Sequence, residues 1–143
     1  MTLRNATMND AEILLKWRND AATRSASHNV EEVKFDDHLI WLEATLSNSM
    51  RQLLIAEDKG RPVGCVRIDR EPSGAELSWT VDPESRGNGI AKRMLQLVIN
   101  SFPHGSLLRA EIKVENTASL KVALAAGMIL SHETGNIFHL VKK

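Results

Sequence analysis

Residues 82–94 read DPESRGNGIAKRM. Pro83 closes a preceding strand, because proline has no N–H to give a sheet ladder. Gly87 and Gly89 frame a tight turn. From Ile90 onward apolar residues return at helical spacing, as Ile90, Met94, Leu97 and Val98. A strand that turns through two glycines straight into a helix presents the helix's unpaired N–H groups and partial positive charge at that turn. Such a terminus suits a phosphate. The glycines let an anion approach the backbone with no Cβ in the way, and Lys92 and Arg93 add cations near the same end.

Upstream of the turn, AELSWTV (75–81) alternates Leu77, Trp79 and Val81 with Glu76, Ser78 and Thr80, a strand pattern. RQLLIAED (51–58), the turn KGR (59–61) and PVGCVRIDRE (62–71) read as a hairpin, and the pair SG (73–74) turns the chain into the next strand. Residues 2–6 suit a short first strand. In MNDAEILLKWRND (8–20), Asn9 or Asp10 caps a helix with Ile13, Leu14 and Trp17 on its stripe. Residues 21–34 are polar and irregular. FDDHLIWLEATLS (35–47) resumes helical spacing through Leu39, Leu42 and Leu46, with Asp36 or Asp37 near its start.

Downstream, Pro103 and Gly105 stop the helix that begins after Gly89. LRAEIKVE (108–115) is a strand with Ala110, Ile112 and Val114 on one side. Asn116 caps the helix TASLKVALAA (117–126), which ends at Gly127 as a left-handed cap. Residues 128–143 close as a hairpin turning at TGN (134–136). The order is β-α-α-β-β-β-α-β-α-β-β, a mixed α/β plan with about seven strands and four helices.

The 143 residues suit one domain, with 43% apolar and 25% charged residues. Eighteen basic and eighteen acidic side chains cancel, so no global field recruits nucleic acid or membrane, and neither is expected as a partner. One cysteine, Cys65, excludes an intramolecular disulfide and fits a reducing compartment; in the run PVGCVRI it reads as a buried structural thiol. The first residues carry no apolar signal core, and no run nears the about 20 residues of a membrane span, so a cytoplasmic location is expected. The five histidines show no ligand spacing, and no metal site is expected.

Neither common nucleotide fingerprint is met. No run fits the P-loop, and Lys92 stands where the third glycine of a dinucleotide turn belongs. The stretch VDPESRGNGIA instead resembles the acetyl-coenzyme A motif of the GNAT superfamily of N-acetyltransferases, Gln/Arg-x-x-Gly-x-Gly/Ala, with Arg86, Gly89 and Ala91 at its fixed positions. The strand AELSWTV before it is similar to the one that leads into that motif. VENTASLKVALAAGM resembles the later segment in which an Asn-capped helix ends at Gly and a large apolar residue. The resemblance implies a mostly antiparallel GNAT-like sheet and acetyl-coenzyme A as co-substrate. The backbone from Arg86 through Gly87, Asn88, Gly89 and Ile90 to Ala91 would hold its diphosphate. Main-chain groups from Leu77 to Val81, Trp79 and Val81 among them, would line the pantetheine arm, with Asn116 and Ser119 beside it.

The chemistry asks for a neutral amine, a stabilised oxyanion and a departing thiolate, with a base to take the ammonium proton. Glu76 is the first candidate base, as acidic residues on this strand serve in several relatives; His28 and His38 are alternatives, with ordinary pKa values of about 6.5. Many relatives carry a tyrosine seven residues after the Asn as acid for the thiolate. Ala123 stands there, and the chain has no tyrosine. Either another group protonates the sulfur or the thiolate, with a pKa of about 8.5, leaves unassisted.

The resemblance implies that the first two helices and their connection line the acceptor pocket. Trp17-Arg18-Asn19 and His38-x-x-Trp41-Leu42 resemble the branch with flagellin and surface-glycan amino-sugar acetyltransferases and ribosomal-protein N-acetyltransferases. Arg18, Asn19 and His38 are therefore the candidate acceptor contacts. Arg18 and Arg24 match the diphosphate of a nucleotide-linked sugar, while Trp17 and Trp41 read as packing residues before stacking ones. The expected reaction is acetyl transfer to a primary amine, first of a nucleotide-linked amino sugar. A protein N-terminus, a small polyamine and a non-catalytic acyl-coenzyme A-binding module stand as alternatives. Exposed strand edges after residue 128 could pair two chains as a homodimer.

Overall fold

A computed structural model describes residues 1–143. In chain order the elements are β1 (Thr2–Asn5), α1 (Ala11–Asn19), α2 (Ala21–Ala26), α3 (Phe35–Ser47), β2 (Arg51–Asp58), β3 (Arg61–Glu71), β4 (Gly74–Val81), α4 (Ile90–Asn100), β5 (Leu107–Lys113), α5 (Thr117–Ala125), β6 (Ile129–Thr134) and β7 (Ile137–Lys142). The seven strands form one sheet in the order β1-β2-β3-β4-β5-β7-β6. Every neighbouring pair is antiparallel except β4 with β5. This is the expected GNAT-like mixed α/β plan with one helix more.

The extra helix is α2, in the segment that reads as irregular. Asp20 caps it by accepting from the Thr23 N–H at 3.1 Å, and none of its six residues is buried. A helix that short, with nothing in a core, leaves no apolar period to read. Two further expectations shift. Asp10 is the N-cap residue of α1 as expected, but its side chain makes no cap bond there: it completes a capping box with Thr7 over a single 3-10 turn that runs into the helix. Asp10 is also the buried partner of Arg4, with two contacts at 2.8 and 2.9 Å, and the pair holds its carboxyl below the usual range. On α4 the buried stripe is Ile90, Met94, Leu95, Val98 and Ile99, while Leu97 is exposed. At 100° per residue Leu97 lies roughly a third of a turn from the centre of that stripe.

Strand alternation sends apolar side chains to both faces, and helices cover each. Leu53 and Ile55 of β2 pack with Leu14, Trp17 and Leu42 under α1 and α3. Val66, Ile68, Ala75, Leu77, Leu108, Ala110 and Ile112 pack with α4 and α5 on the opposite face. By the same alternation Glu76, Ser78 and Thr80 of β4 fall on the α1–α3 side. The helix α5 ends as expected, with Gly127 at φ +93° and the Met128 N–H returning to the Ala123 carbonyl at 3.0 Å.

The parallel pair is short. Gly74, Ala75 and Glu76 face Leu107, Leu108 and Arg109, and there the ladder between β4 and β5 stops. Gly74 makes this approach possible, since a Cβ on it would stand 1.8 Å from the Leu107 carbonyl oxygen. Backbone cannot yield by that much. Gly74→Ala is expected to destabilise the fold by about 3 kcal/mol or more in urea unfolding. Gly135→Ala, at a turn with open space and φ +58°, is expected to cost only its left-handed strain, about 1–2 kcal/mol.

Candidate active site

Beyond Glu76 and Arg109 the two strands diverge, and the edge of β4 from Leu77 to Val81 has no ladder partner on that side. The opening continues into a cleft of about 830 Å³. One part is walled by the 85–92 turn, Trp79, Asn116 and Ser119. The other is walled by Arg18, Trp41, Arg67, Glu76 and Glu111.

The glycine turn has the shape its sequence implies. Asp82 caps a 3-10 turn over Pro83–Ser85, accepting from the Glu84 N–H and the Ser85 hydroxyl at 3.3 and 3.2 Å. Gly87 and Gly89 follow at φ +82° and +71°, with Gly89 as the N-cap of α4. No side chain caps that helix, and nothing lies within 4 Å of a Cβ built on either glycine. The first amides of an 11-residue helix thus face open space from a backbone that only glycine adopts without strain. Asn88 steadies the turn through the Ser85 carbonyl at 3.1 Å. The Ile90 side chain is buried, so only its backbone can serve a ligand.

Arg86 does something that sequence reading does not foresee. Its guanidinium donates to Asp20 at 2.7 Å and to Thr23 at 3.1 Å, which latches the turn to the cap of α2 and holds the Asp20 carboxyl below its usual range. Across the cleft the Asn116 carboxamide oxygen caps α5 through the Ser119 N–H at 3.2 Å. The capping role expected of Asn116 is thereby filled by one end of the group, and its nitrogen is the end available to a ligand. The indole nitrogen of Trp79 is buried with no hydrogen-bond partner.

On the acceptor side, Arg18 lies over the Trp41 ring at 4.5 Å and against His38 Nδ1 at 3.4 Å. His38 stacks on Trp41 with centroids 5.7 Å apart. Arg18 has no carboxylate partner, and burial, then Arg67, lowers its pKa. His38 has no exposed surface. Its Nδ1 faces a donor, so its Nε2 carries the proton and donates to the Ala11 carbonyl at 3.0 Å. Burial, then Arg18, pushes its pKa down, and the ring is neutral.

Two of the expected acceptor contacts have polar atoms already engaged within the fold. His38 braces Arg18 from within the core. Asn19 uses both ends of its amide on the Val33 backbone, each at 2.8 Å, which ties the 27–34 segment to α1. Arg24 is likewise turned to the Asn19 and Val30 carbonyls. Trp17 is core, at 1% exposure, whereas half-buried Trp41 lines the cleft. Cys65, expected to be buried, is instead half-buried and lines the cleft, and desolvation pushes its thiol up to about 12.

Glu76 stands at the apex where the strands part. Arg109 Nη2 reaches its Oε2 at 3.1 Å. Burial, then the neighbouring Glu111 carboxyl, raises its pKa above the ordinary range, and Arg109 opposes them. A half-desolvated carboxyl in a cleft, with its pKa moved toward neutrality, suits proton transfer. Glu111, Arg109 and Arg67 are charged cleft or near-cleft residues that sequence reading passes over. Alternation places each on the Glu76 face, but nothing local says that β5 lies next to β4.

The family model described as the acetyltransferase (GNAT) domain matches residues 1–129. The chain belongs to the GNAT acetyltransferase family. No curated protein matches it at the level of sequence. Among solved structures, a ribosomal-protein-alanine N-acetyltransferase from Brucella melitensis is 25% identical, with a TM-score of 0.80 and 99% of each chain covered. A domain from Methanocaldococcus jannaschii is 20% identical, with a TM-score of 0.87, over 99% of this chain and 96% of that one. Spermidine N-acetyltransferase from Vibrio cholerae, in complex with CoA and spermine, is 15% identical, with a TM-score of 0.86, over 99% and 94%.

The GNAT chain is thus an N-acetyltransferase with acetyl-coenzyme A as its acetyl donor. The uncapped α4 terminus and the open glycine turn fit a diphosphate, and the unpaired β4 edge fits an extended amide-bearing arm. Gly89→Ala is expected to weaken coenzyme A binding about tenfold in calorimetry, by straining the turn and placing a methyl on its open side. Gly105→Ala, also at positive φ with open space, is expected to leave affinity unchanged.

Proposed function

We propose that this single domain N-acetylates the primary amine of a nucleotide-linked amino sugar. The observation that carries the reading is Arg18. A guanidinium half removed from water, stacked on an aromatic ring and lacking any carboxylate, calls for an anion from outside the protein. Arg67, beside it on the same face, is shared with Asp69 at 3.2 Å. The fork carboxylate and this cation together suit an acceptor whose amine reaches Glu76 while a phosphate rests near Arg18 and Trp41.

In this reading acetyl-coenzyme A supplies an activated thioester carbon. The backbone amides of residues 86–91 hold its diphosphate, and residues 77–81 with Asn116 align its arm. Glu76 takes the ammonium proton, leaving a neutral amine lone pair to form the new C–N bond as the C–S bond breaks, and the second proton on that nitrogen passes to the departing thiolate or to solvent. Ala123, where relatives place a tyrosine, is fully buried. A thiol pKa of about 8.5 allows the thiolate to depart without a dedicated acid. A cytoplasmic setting accords with the single cysteine, and no helix is long and apolar enough to cross a membrane.

A second reading is a peptide N-terminus. It is supported by the paired carboxyls Glu76 and Glu111, which favour a cationic acceptor, and by the likeness to the ribosomal-protein-alanine enzyme. Coenzyme A release over nucleotide-linked amino sugars, N-terminal peptides and polyamines separates the two.

Glu76→Gln is expected to lower kcat about a hundredfold or more. It should also abolish the acid limb of kcat/KM. The sign follows from the raised pKa: a base must be deprotonated, so wild-type activity falls as pH drops through that value. Arg18→Ala is expected to raise KM about tenfold for a nucleotide-linked amino sugar and not for a simple amine. Equal effects on both would make Arg18 structural.

A further inference from the structure

We propose that Glu71, Arg109 and Glu111 form a positioning frame for Glu76, in which Arg109, held by Glu71, steers one carboxylate oxygen and Glu111 stands on the same face of the neighbouring strand. The proposal rests on Glu76 as the base of the proposed reaction.

Arg109 is the cross-strand partner of Glu76 in the last pair before the fork. Its guanidinium is held chiefly by Glu71, through Nε at 3.0 Å and through Nη2, so that Glu76 receives a share of Nη2 alone at 3.1 Å. Glu71 is itself fixed at the end of β3, opposite Gly74. Only Oε2 of Glu76 is engaged in this way, and Oε1 has no cationic donor on it. Glu111 lies two residues beyond Arg109 on β5, on the same face, and lines the cleft beside Glu76.

Other charges face Glu76 from β3 and α1. Asp69, its partner on β3, is tied by Arg51 of β2 at 2.7 Å and by Arg67 at 3.2 Å, and adds to the effect of Glu111. Arg18 of α1 lies over Trp41 and against His38 and forms no ion pair with Glu76. The largest charged influences on Glu76 are thus the two β5 residues, one of each sign. A cation within hydrogen-bond reach favours the carboxylate, and a second carboxyl favours its proton. Glu71 limits the first effect by occupying most of the guanidinium. A base needs this compromise, since a carboxylate bound by a whole guanidinium would be too weak to take a proton from an amine.

The test combines two readouts on Arg109→Met, Arg109→Gln, Arg109→Lys and Glu111→Gln. One is the carbon-13 NMR titration of the Glu76 carboxyl in the ligand-free protein, and the other is the acid limb of kcat/KM. Glu111→Gln is expected to move the titration and the limb down by about one pH unit, and Arg109→Met to move both up by about as much. Arg109→Lys keeps a cation and is expected to restore most of the wild-type position. Arg109→Gln, which removes the charge but keeps a polar side chain, serves where the methionine variant fails to fold and is expected to shift both readouts upward. A Glu76 titration unmoved by Glu111→Gln, or by whichever of Arg109→Met and Arg109→Gln folds, overturns the frame, as do shifts of the same sign. Shifts as expected in NMR, with Glu76→Gln retaining activity and its acid limb, overturn Glu76 as base and the catalytic purpose of the frame with it.

Discussion

The parting of β4 from β5 is the constraint on which the functional part of this molecule depends. Three residue pairs hold the strands together, at a point where Gly74 lets the Leu107 carbonyl come closer than any side chain would permit. Past that point the edge of β4 keeps its N–H and C=O groups for something other than a strand. Unpaired edge groups inside a protein are costly unless a partner meets them. In the proposed reaction that partner is the donor's amide-bearing arm. Fork and glycine turn form one continuous surface, because β4 runs through Asp82 and the glycine turn into the N-terminus of α4.

The same divergence fixes the position of the chemistry. Glu76 is the last residue of β4 with a β5 partner, so it stands at the mouth of the opening and on the α1–α3 face. Arg109 and Glu111 reach that face from β5, and Asp69 and Arg67 reach it from β3. A carboxyl gathered among such charges, half out of water, differs from the exposed carboxylates elsewhere on the chain. The Arg86 latch to Asp20 and Thr23 then ties the donor turn to the helices that wall the acceptor side. The two halves of the cleft are joined by a charge-assisted contact as well as by the sheet.

Legibility follows from how local each signal is. The glycine turn, the Asn116 cap and the Gly127 stop depend on backbone conformations that a few adjacent residues specify, and they stand where their residues place them. The alternation of β4 correctly puts Glu76 opposite Leu77. The failures are of another kind. Six residues of α2 have no buried face, and Leu97 satisfies an apolar pattern while pointing into solvent. Asn19 and His38 have the residue types of a binding site, but their polar atoms meet Val33 and Ala11 across the fold. Only the partner tells a ligand contact from an internal brace.

From the amino-acid order alone come the strand and helix succession apart from α2, the glycine turn and the family likeness, because each rests on spacing within one segment. The tertiary structure decided which charges surround Glu76, which arginine lies without a carboxylate and which is already latched. Those depend on β5 lying beside β4 after an intervening helix, and on α1 and α3 crossing over β2 to β4. Electrostatic environment is a property of neighbours in space. Two arginines, Arg18 and Arg86, therefore ended in opposite states: one without a carboxylate partner, the other closed on Asp20.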